Sequence, residues 1–215
     1  MDTSRQIARR LLEVGAVKLN PHEPYTWASG LRSPIYCDNR VLLSFPAIRT
    51  EVVEALGAAA GAVSDVQGIA GVATAGIPHG ALLADRLDLP FIYVRSSAKE
   101  HGRRNQIEGR LETGKRYLVV EDLISTGGSS LKAVDVMRAA GGEVAATLAI
   151  FTYQFPSAER AFQNAQVPLY TVSDYATLLE EATAAGHITE ADAAALADWR
   201  QDPRAWSNAY EAAAQ

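Results

Sequence analysis

Residues 121–130 read Glu-Asp-Leu-Ile-Ser-Thr-Gly-Gly-Ser-Ser, directly after the apolar run 117–120. Two adjacent carboxylates, Glu121 and Asp122, can hold sugar hydroxyls or a metal ion. The turn that follows is rich in glycine and hydroxyls and leads into helical periodicity. Unpaired amides at a helix start, helped by the helix dipole, hold a phosphate. One short stretch therefore points to a phosphorylated sugar as ligand. The plain alternative is a solvated strand-to-helix turn. Against it, the acids sit at the edge of a buried layer, where charge is costly without compensation. Gly127 and Gly128 also remove Cβ atoms where a phosphate would approach. The turn is not a Walker A loop, because no Gly-Lys-Ser/Thr follows.

Three further segments carry polar chemistry. Residues 95–109 have little apolar content and include Arg95, Lys99, His101, Arg103 and Arg104, with Gly102 and Gly109. A polar loop of this length in a compact domain is often an active-site lid. It follows the apolar run 91–94, so it reads as a mobile cationic flap over an acidic floor. Residues 71–80, Gly-Val-Ala-Thr-Ala-Gly-Ile-Pro-His-Gly, form a small-residue turn into a helix and a second place for an anion, at Thr74 and Ala75. His79 lies on that helix and need not touch ligand. Residues 26–40 mix aromatic and polar groups and alone could be any hairpin.

The elements that must position these groups are readable from periodicity. Apolar runs near 68–72, 91–94, 117–120, 144–150 and 167–172 alternate with helical patterns at 77–87 and 129–140. Continuous apolar runs separated by helices indicate a parallel sheet covered on both faces. Ligands in such sheets bind beyond the carboxyl ends of the strands. A first helix is expected to open at Thr3, with Gln6 as capping-box partner and Gly15 as its stop. Ser44 is expected to cap a second helix, with Pro46 in its first turn. Helices at 174–185, 189–199 and after Pro203 are packed down by Trp199, Trp206 and Tyr210.

The 215 residues are 48% hydrophobic and 21% charged, enough for one domain with a core and added elements. The net charge of −5 supplies no basic field for nucleic acid. No run of 18 apolar residues suggests a membrane span. The first residues lack the pattern of a signal peptide. Cys37 is the one cysteine, so no internal disulfide or Cys-based zinc site forms. It reads as a packing residue and fits a reducing cytoplasm.

In order along the chain, Ser29-Gly-x-x-Ser-Pro-Ile-Tyr36, Gly76-Ile-Pro78, Arg95-x-x-x-Lys-x-His-Gly102 and Glu121-Asp-x-Ile-Ser-Thr-Gly-Gly-Ser129 occur. Together they resemble the orotate phosphoribosyltransferase family of the type I phosphoribosyltransferases. The resemblance covers residues 26–130 and implies an α/β fold with a parallel central sheet flanked by helices. It implies a single domain, with an N-terminal hood over about 1–44, a core over about 45–172 and C-terminal helices over about 173–215. It also implies that the sugar diphosphate 5-phosphoribosyl 1-diphosphate meets orotate with Mg²⁺. Glu121 and Asp122 would hold the ribose hydroxyls, and the segment Leu123, Ile124, Ser125, Thr126, Gly127, Gly128 and Ser129 would wrap the 5′-phosphate. Arg95, Lys99 and His101 would neutralise the departing diphosphate across a homodimer, and Thr74 and Ala75 would contact the same substrate. Ser125 and the backbone near Tyr36 and Cys37 would meet orotate. Mg²⁺ would be held mainly by substrate and water, with Asp122 nearby.

Several family lysines and an arginine have other residues here: Ala28 before the hood Ser-Gly, Ala75 before Gly-Ile-Pro, Ser96 after the flap arginine, and Tyr153 after the following strand. Arg32 is a candidate replacement for them as partner of the orotate carboxylate. A purine phosphoribosyltransferase would share the 121–129 loop but stacks its base from a C-terminal hood, which nothing here marks. A regulator that senses the sugar diphosphate would show an added DNA-binding module or a basic face.

Overall fold

A computed structural model describes residues 2–27, 29–97 and 106–213; Lys99, His101 and Ala28 lie outside the described residues. A six-stranded sheet organises the chain. Its strands are β5 (Gly68–Val72), β6 (Phe91–Val94), β7 (Ile107–Glu108), β8 (Arg116–Ile124), β9 (Glu143–Thr152) and β10 (Leu169–Asp174). Their order is β10-β9-β8-β5-β6-β7, with every neighbour parallel except the antiparallel edge pair β6 and β7.

The centre is built as the continuous apolar runs demand. Leu118, Val119 and Val120 on β8 are fully buried, as are Ile69 and Ala70 on β5 and Leu148, Ala149, Ile150 and Phe151 on β9. Each large side chain so buried contributes about 1.5–3 kcal/mol. Helices α2 (Pro46–Ala60), α3 (Gly76–Leu87), α4 (Gly128–Ala139) and α5 (Pro156–Ala165) belong to this core.

Helix α1 (Thr3–Glu13) is capped one residue earlier than expected. The Asp2 carboxylate accepts from Ser4 N at 3.0 Å. A carboxylate outcompetes a hydroxyl at the positive end of the helix dipole. Gln6 instead donates from Nε2 to Glu51 on α2 at 3.0 Å. The second expected cap is also different. Ser44 ends a 3₁₀ helix over Asn39–Ser44, and Phe45 takes the cap position of α2 with no side-chain hydrogen bond. Pro46 is the first residue of α2, where its missing N–H costs nothing.

Strand β8 runs four residues further than the apolar pattern. Glu121, Leu123 and Ile124 pair with Ala149, Phe151 and Thr152 of β9. The acidic pair therefore lies within the strand rather than beyond its end. Strand β7 was not apparent in the sequence. It makes the segment 95–106 the connection of a hairpin, closed by Arg95 N donating to the Gln106 carbonyl at 2.8 Å.

The N-terminal segment forms two small antiparallel pairs. Strand β1 (Val17–Leu19) pairs with β4 (Ile35–Cys37), and β2 (Tyr25–Thr26) pairs with β3 (Arg32–Ser33). Helices α6 (Tyr175–Ala184), α7 (Glu190–Gln201) and α8 (Pro203–Ala213) end the chain. Trp199 is fully buried and sits 5.9 Å from Tyr153 and 5.7 Å from Trp27, ring centre to ring centre. Trp206 stacks on Tyr210 at 5.6 Å. Ser207 accepts a hydrogen bond from Arg32 N at 2.9 Å, tying α8 to β3.

Candidate active site

The carboxyl ends of β5, β6 and β8 share one edge, and the expected chemistry collects there. Two helices start at this edge without any side-chain cap. Helix α3 has Ala75 at its cap position and α4 has Gly127. Gly127 adopts φ +80°, a left-handed conformation that a side chain resists. Thr126, Gly128 and Ser129 are exposed, while Ser125 is half-buried. The amides of the α4 start are thus presented to solvent with no internal acceptor from a side chain, the condition for anion capture.

Glu121 and Asp122 differ sharply although they are neighbours. Glu121 is 5% exposed. Its Oε2 accepts from Ser129 Oγ at 3.0 Å and Ser130 Oγ at 3.1 Å, and its Oε1 accepts from Asp122 N at 3.1 Å. Burial first, and then the Asp122 charge, push its carboxyl up to about 8. The group is tucked beneath the α4 start, held there by the two serine hydroxyls. Asp122 is half-buried, and burial raises it too. Asp122 is the more accessible acid of the pair.

The N-terminal segment reaches the acids through Asn39, whose Nδ2 donates to the Asp122 carbonyl at 2.8 Å. Asn39 is fully buried. Cys37 Sγ lies 3.5 Å from Asn39 Oδ1. Its thiol is pushed well above the usual range by burial, with Asp122 and Asp38 adding to the effect. A neutral thiol is no nucleophile, which agrees with a packing residue. Tyr36 is exposed, its ring 5.7 Å from Tyr25. Arg40 forms a two-pronged pair with Asp38 at 2.6 and 2.8 Å, and its charge lowers Asp122.

Thr74 and Ala75 form the turn before α3, and the Ala73–Thr74 peptide is cis. His79 on α3 is fully buried, and among the described residues its ring nitrogens have no hydrogen-bond partner. Burial, then the nearby Arg49 charge, lower it to about 4, so it is neutral. Arg95 follows β6, with Nη1 3.6 Å from Glu108. Lys132 on α4 donates to the Ser96 carbonyl at 2.8 Å and ties the segment after β6 to that helix.

Arg32 lies on β3. Its guanidinium donates to Thr26 Oγ1 at 2.8 Å and lies 3.7 Å from Glu211 on α8. Tyr153 stacks on Trp27 at 5.4 Å inside an aromatic cluster with Phe151, Phe155, Tyr175 and Trp199. Asn39, Ser130 and Lys132 escaped the sequence reading. Only Ser130 had a local signal, since it directly extends the hydroxyl run.

The phosphoribosyl transferase domain family matches residues 62–163. The chain is 53% identical to orotate phosphoribosyltransferase of Bacteroides thetaiotaomicron, over 94% of this chain and 96% of the relative. It is 49% identical to the Enterococcus faecalis enzyme of the same name, over 94% of this chain and 97% of that one. Among solved structures, orotate phosphoribosyltransferase from Aeropyrum pernix superposes with a TM-score of 0.74 at 32% identity, covering 85% of this chain and 99% of that one. With 53% and 49% identity over nearly the whole length of both partners in each comparison, the chain belongs to the orotate phosphoribosyltransferase family.

Proposed function

We propose that this chain transfers ribose 5-phosphate from 5-phosphoribosyl 1-diphosphate to orotate, with Mg²⁺, giving orotidine 5′-monophosphate and diphosphate. The reaction serves UMP synthesis, and its charged, diffusible substrates place it in the cytoplasm. The observation that carries this reading is the uncapped α4 start beside the Glu121–Asp122 pair.

The 5′-phosphate seats on the amides of residues 125–129. Asp122 takes the ribose hydroxyls, with Glu121 supporting the turn from below and joining it when the pair loses its proton. Arg95, Lys99 and His101 face the departing diphosphate, with Thr74 and Ala75 at its other side. Orotate N1 displaces diphosphate at the anomeric carbon. Negative charge grows on the leaving group while positive charge grows on the sugar, and fixed charges of opposite sign stabilise both.

Among the described residues no cluster of three or more metal-ligating side chains occurs. Two adjacent carboxylates still suit Mg²⁺, which keeps waters and takes few protein ligands. When bound, the ion offsets the charge of the diphosphate. Asp122 is the side chain placed to hold it. By the family resemblance, two copies assemble so that each flap serves the neighbouring site. Lys99→Ala should cost about 10²–10³ in kcat.

The test is orotate consumption followed by absorbance with the sugar diphosphate and Mg²⁺, with and without a chelator. Hypoxanthine, adenine and uracil run in parallel. Orotate should be consumed and the chelator should stop it. Equal or faster turnover of a purine would overturn the assignment.

A further inference from the structure

A cleft of about 630 Å³ opens beside the phosphate turn. Ser125 and Thr126 form one wall, Trp27 and Leu31 of the N-terminal hairpin another. Phe155, Pro156 and Ser157 at the α5 start, and the junction of α7 and α8, close the rest. Its size suits a small ligand. Three arginines line it: Arg160 on α5, Arg200 on α7 and Arg204 on α8.

These guanidiniums are poorly matched within the chain. Among the described residues Arg160 and Arg204 make no hydrogen bond or ion pair. Arg200 spends one N–H on the amide oxygen of Gln154, at 2.8 Å. Asp202 is the one carboxylate of the lining, and its Oδ1 is already engaged by Ala205 N at 2.9 Å. Three permanent cations share this lining with one carboxylate. An arginine fork with free donors in a concave site matches a planar carboxylate in two-point geometry.

We propose that Arg160, Arg200 and Arg204 form the subsite that receives the carboxylate of the base substrate. The inference rests on the reading that the sugar phosphate seats on residues 125–129. That phosphate is served by the α4 amides, so the cations one step away remain for the second anion of the reaction. Trp27, Leu31 and Phe155 supply apolar walls for a flat ring. Ser125, shared by turn and cleft, puts the two anions side by side. The C-terminal helices thereby take part in choosing an acidic pyrimidine over a neutral base.

The test uses Arg160→Gln, Arg200→Gln and Arg204→Gln in the full chain, with orotate and the sugar diphosphate varied separately. Arg160 and Arg204 are exposed, so their replacement leaves the fold intact even if Arg200 proves structural. In at least one variant the KM for orotate should rise about tenfold, the loss of one charge-assisted pair. The KM for the sugar diphosphate should stay within about twofold, as should inhibition by uracil, which lacks the carboxylate. An orotate KM within twofold of the parent in all three overturns the proposal. So does an equal rise in the KM for the sugar diphosphate, which would assign the cations to phosphate. A parent enzyme that consumes no orotate defeats the functional reading itself.

Discussion

The β5–α3 and β8–α4 turns share a form. Each joins a buried parallel strand to a helix whose first amides lack a side-chain cap. Their construction is opposite. The first is held by the absence of side chains: a Cβ on Gly76 would stand 2.3 Å from the Val120 carbonyl oxygen, so α3 rests directly on the backbone of β8. The second is held by polar groups, with Glu121 gathering Ser129 and Ser130 beneath the α4 start. One turn is a rigid steric wedge. The other is an electrostatic assembly around a carboxyl that burial raises.

That contrast can be broken at its strongest point first. Gly76→Ala forces carbonyl and Cβ into the same space, and backbone cannot give way as a flexible side chain does. It should cost about 3 kcal/mol or more, measured as a shift in the denaturant midpoint. A stable variant with an unchanged midpoint would deny the wedge.

Gly127→Ala should have a smaller effect. It places a side chain at φ +80° and a Cβ 2.7 Å from the Phe162 ring, which can tilt. A loss of about 1–3 kcal/mol is expected. Its neighbour is the control: a Cβ at Gly128 would meet only Thr126 Oγ1, at 3.8 Å. Gly128→Ala should leave stability within about 0.5 kcal/mol. It should raise the KM for the sugar diphosphate if the phosphate approaches there.

Glu121 sharpens the electrostatic side. Its carboxyl holds a proton to about pH 8 in the folded chain, against an ordinary value of 4.5. The folded state therefore binds more protons than the unfolded state between those values. Stability from this group is full below the ordinary value and declines as pH rises through about 8. Glu121→Gln removes the titration. Its Tm should lie near that of the parent at low pH and above it at alkaline pH; parallel Tm curves would refute this. Ser130→Ala, which removes one hydroxyl from Glu121, should cost about 1 kcal/mol by denaturation.

The two turns also differ in how far the sequence exposes them. Strands β5 and β6 agree with their apolar runs residue for residue, β5 because a strand buried on both faces needs no polar position. Strand β8 is read four residues short. Glu121 looks like a surface charge until Ser129 and Ser130 are folded back against it, a pairing across the turn that no periodicity announces. Strand β7 is two residues long and has no pattern of its own. The acid pair, the glycines and both helix starts were legible because each depends on neighbours in the chain. Arg160, Arg200 and Arg204 were not, since they come from three helices and meet only after the C-terminal segment packs. Asn39 likewise acquires its meaning from a carbonyl on a distant strand.

The hydrogen bond from Arg32 N to Ser207 joins the two extremities of the polypeptide above the sheet. A growing chain emits the whole β8–α4 turn before its final helices are made. On the proposed role of the three arginines, discrimination between bases would wait until those helices arrive and clasp the early hairpin. Nicking at the bend between α7 and α8 would therefore act on selectivity before it touched the central sheet.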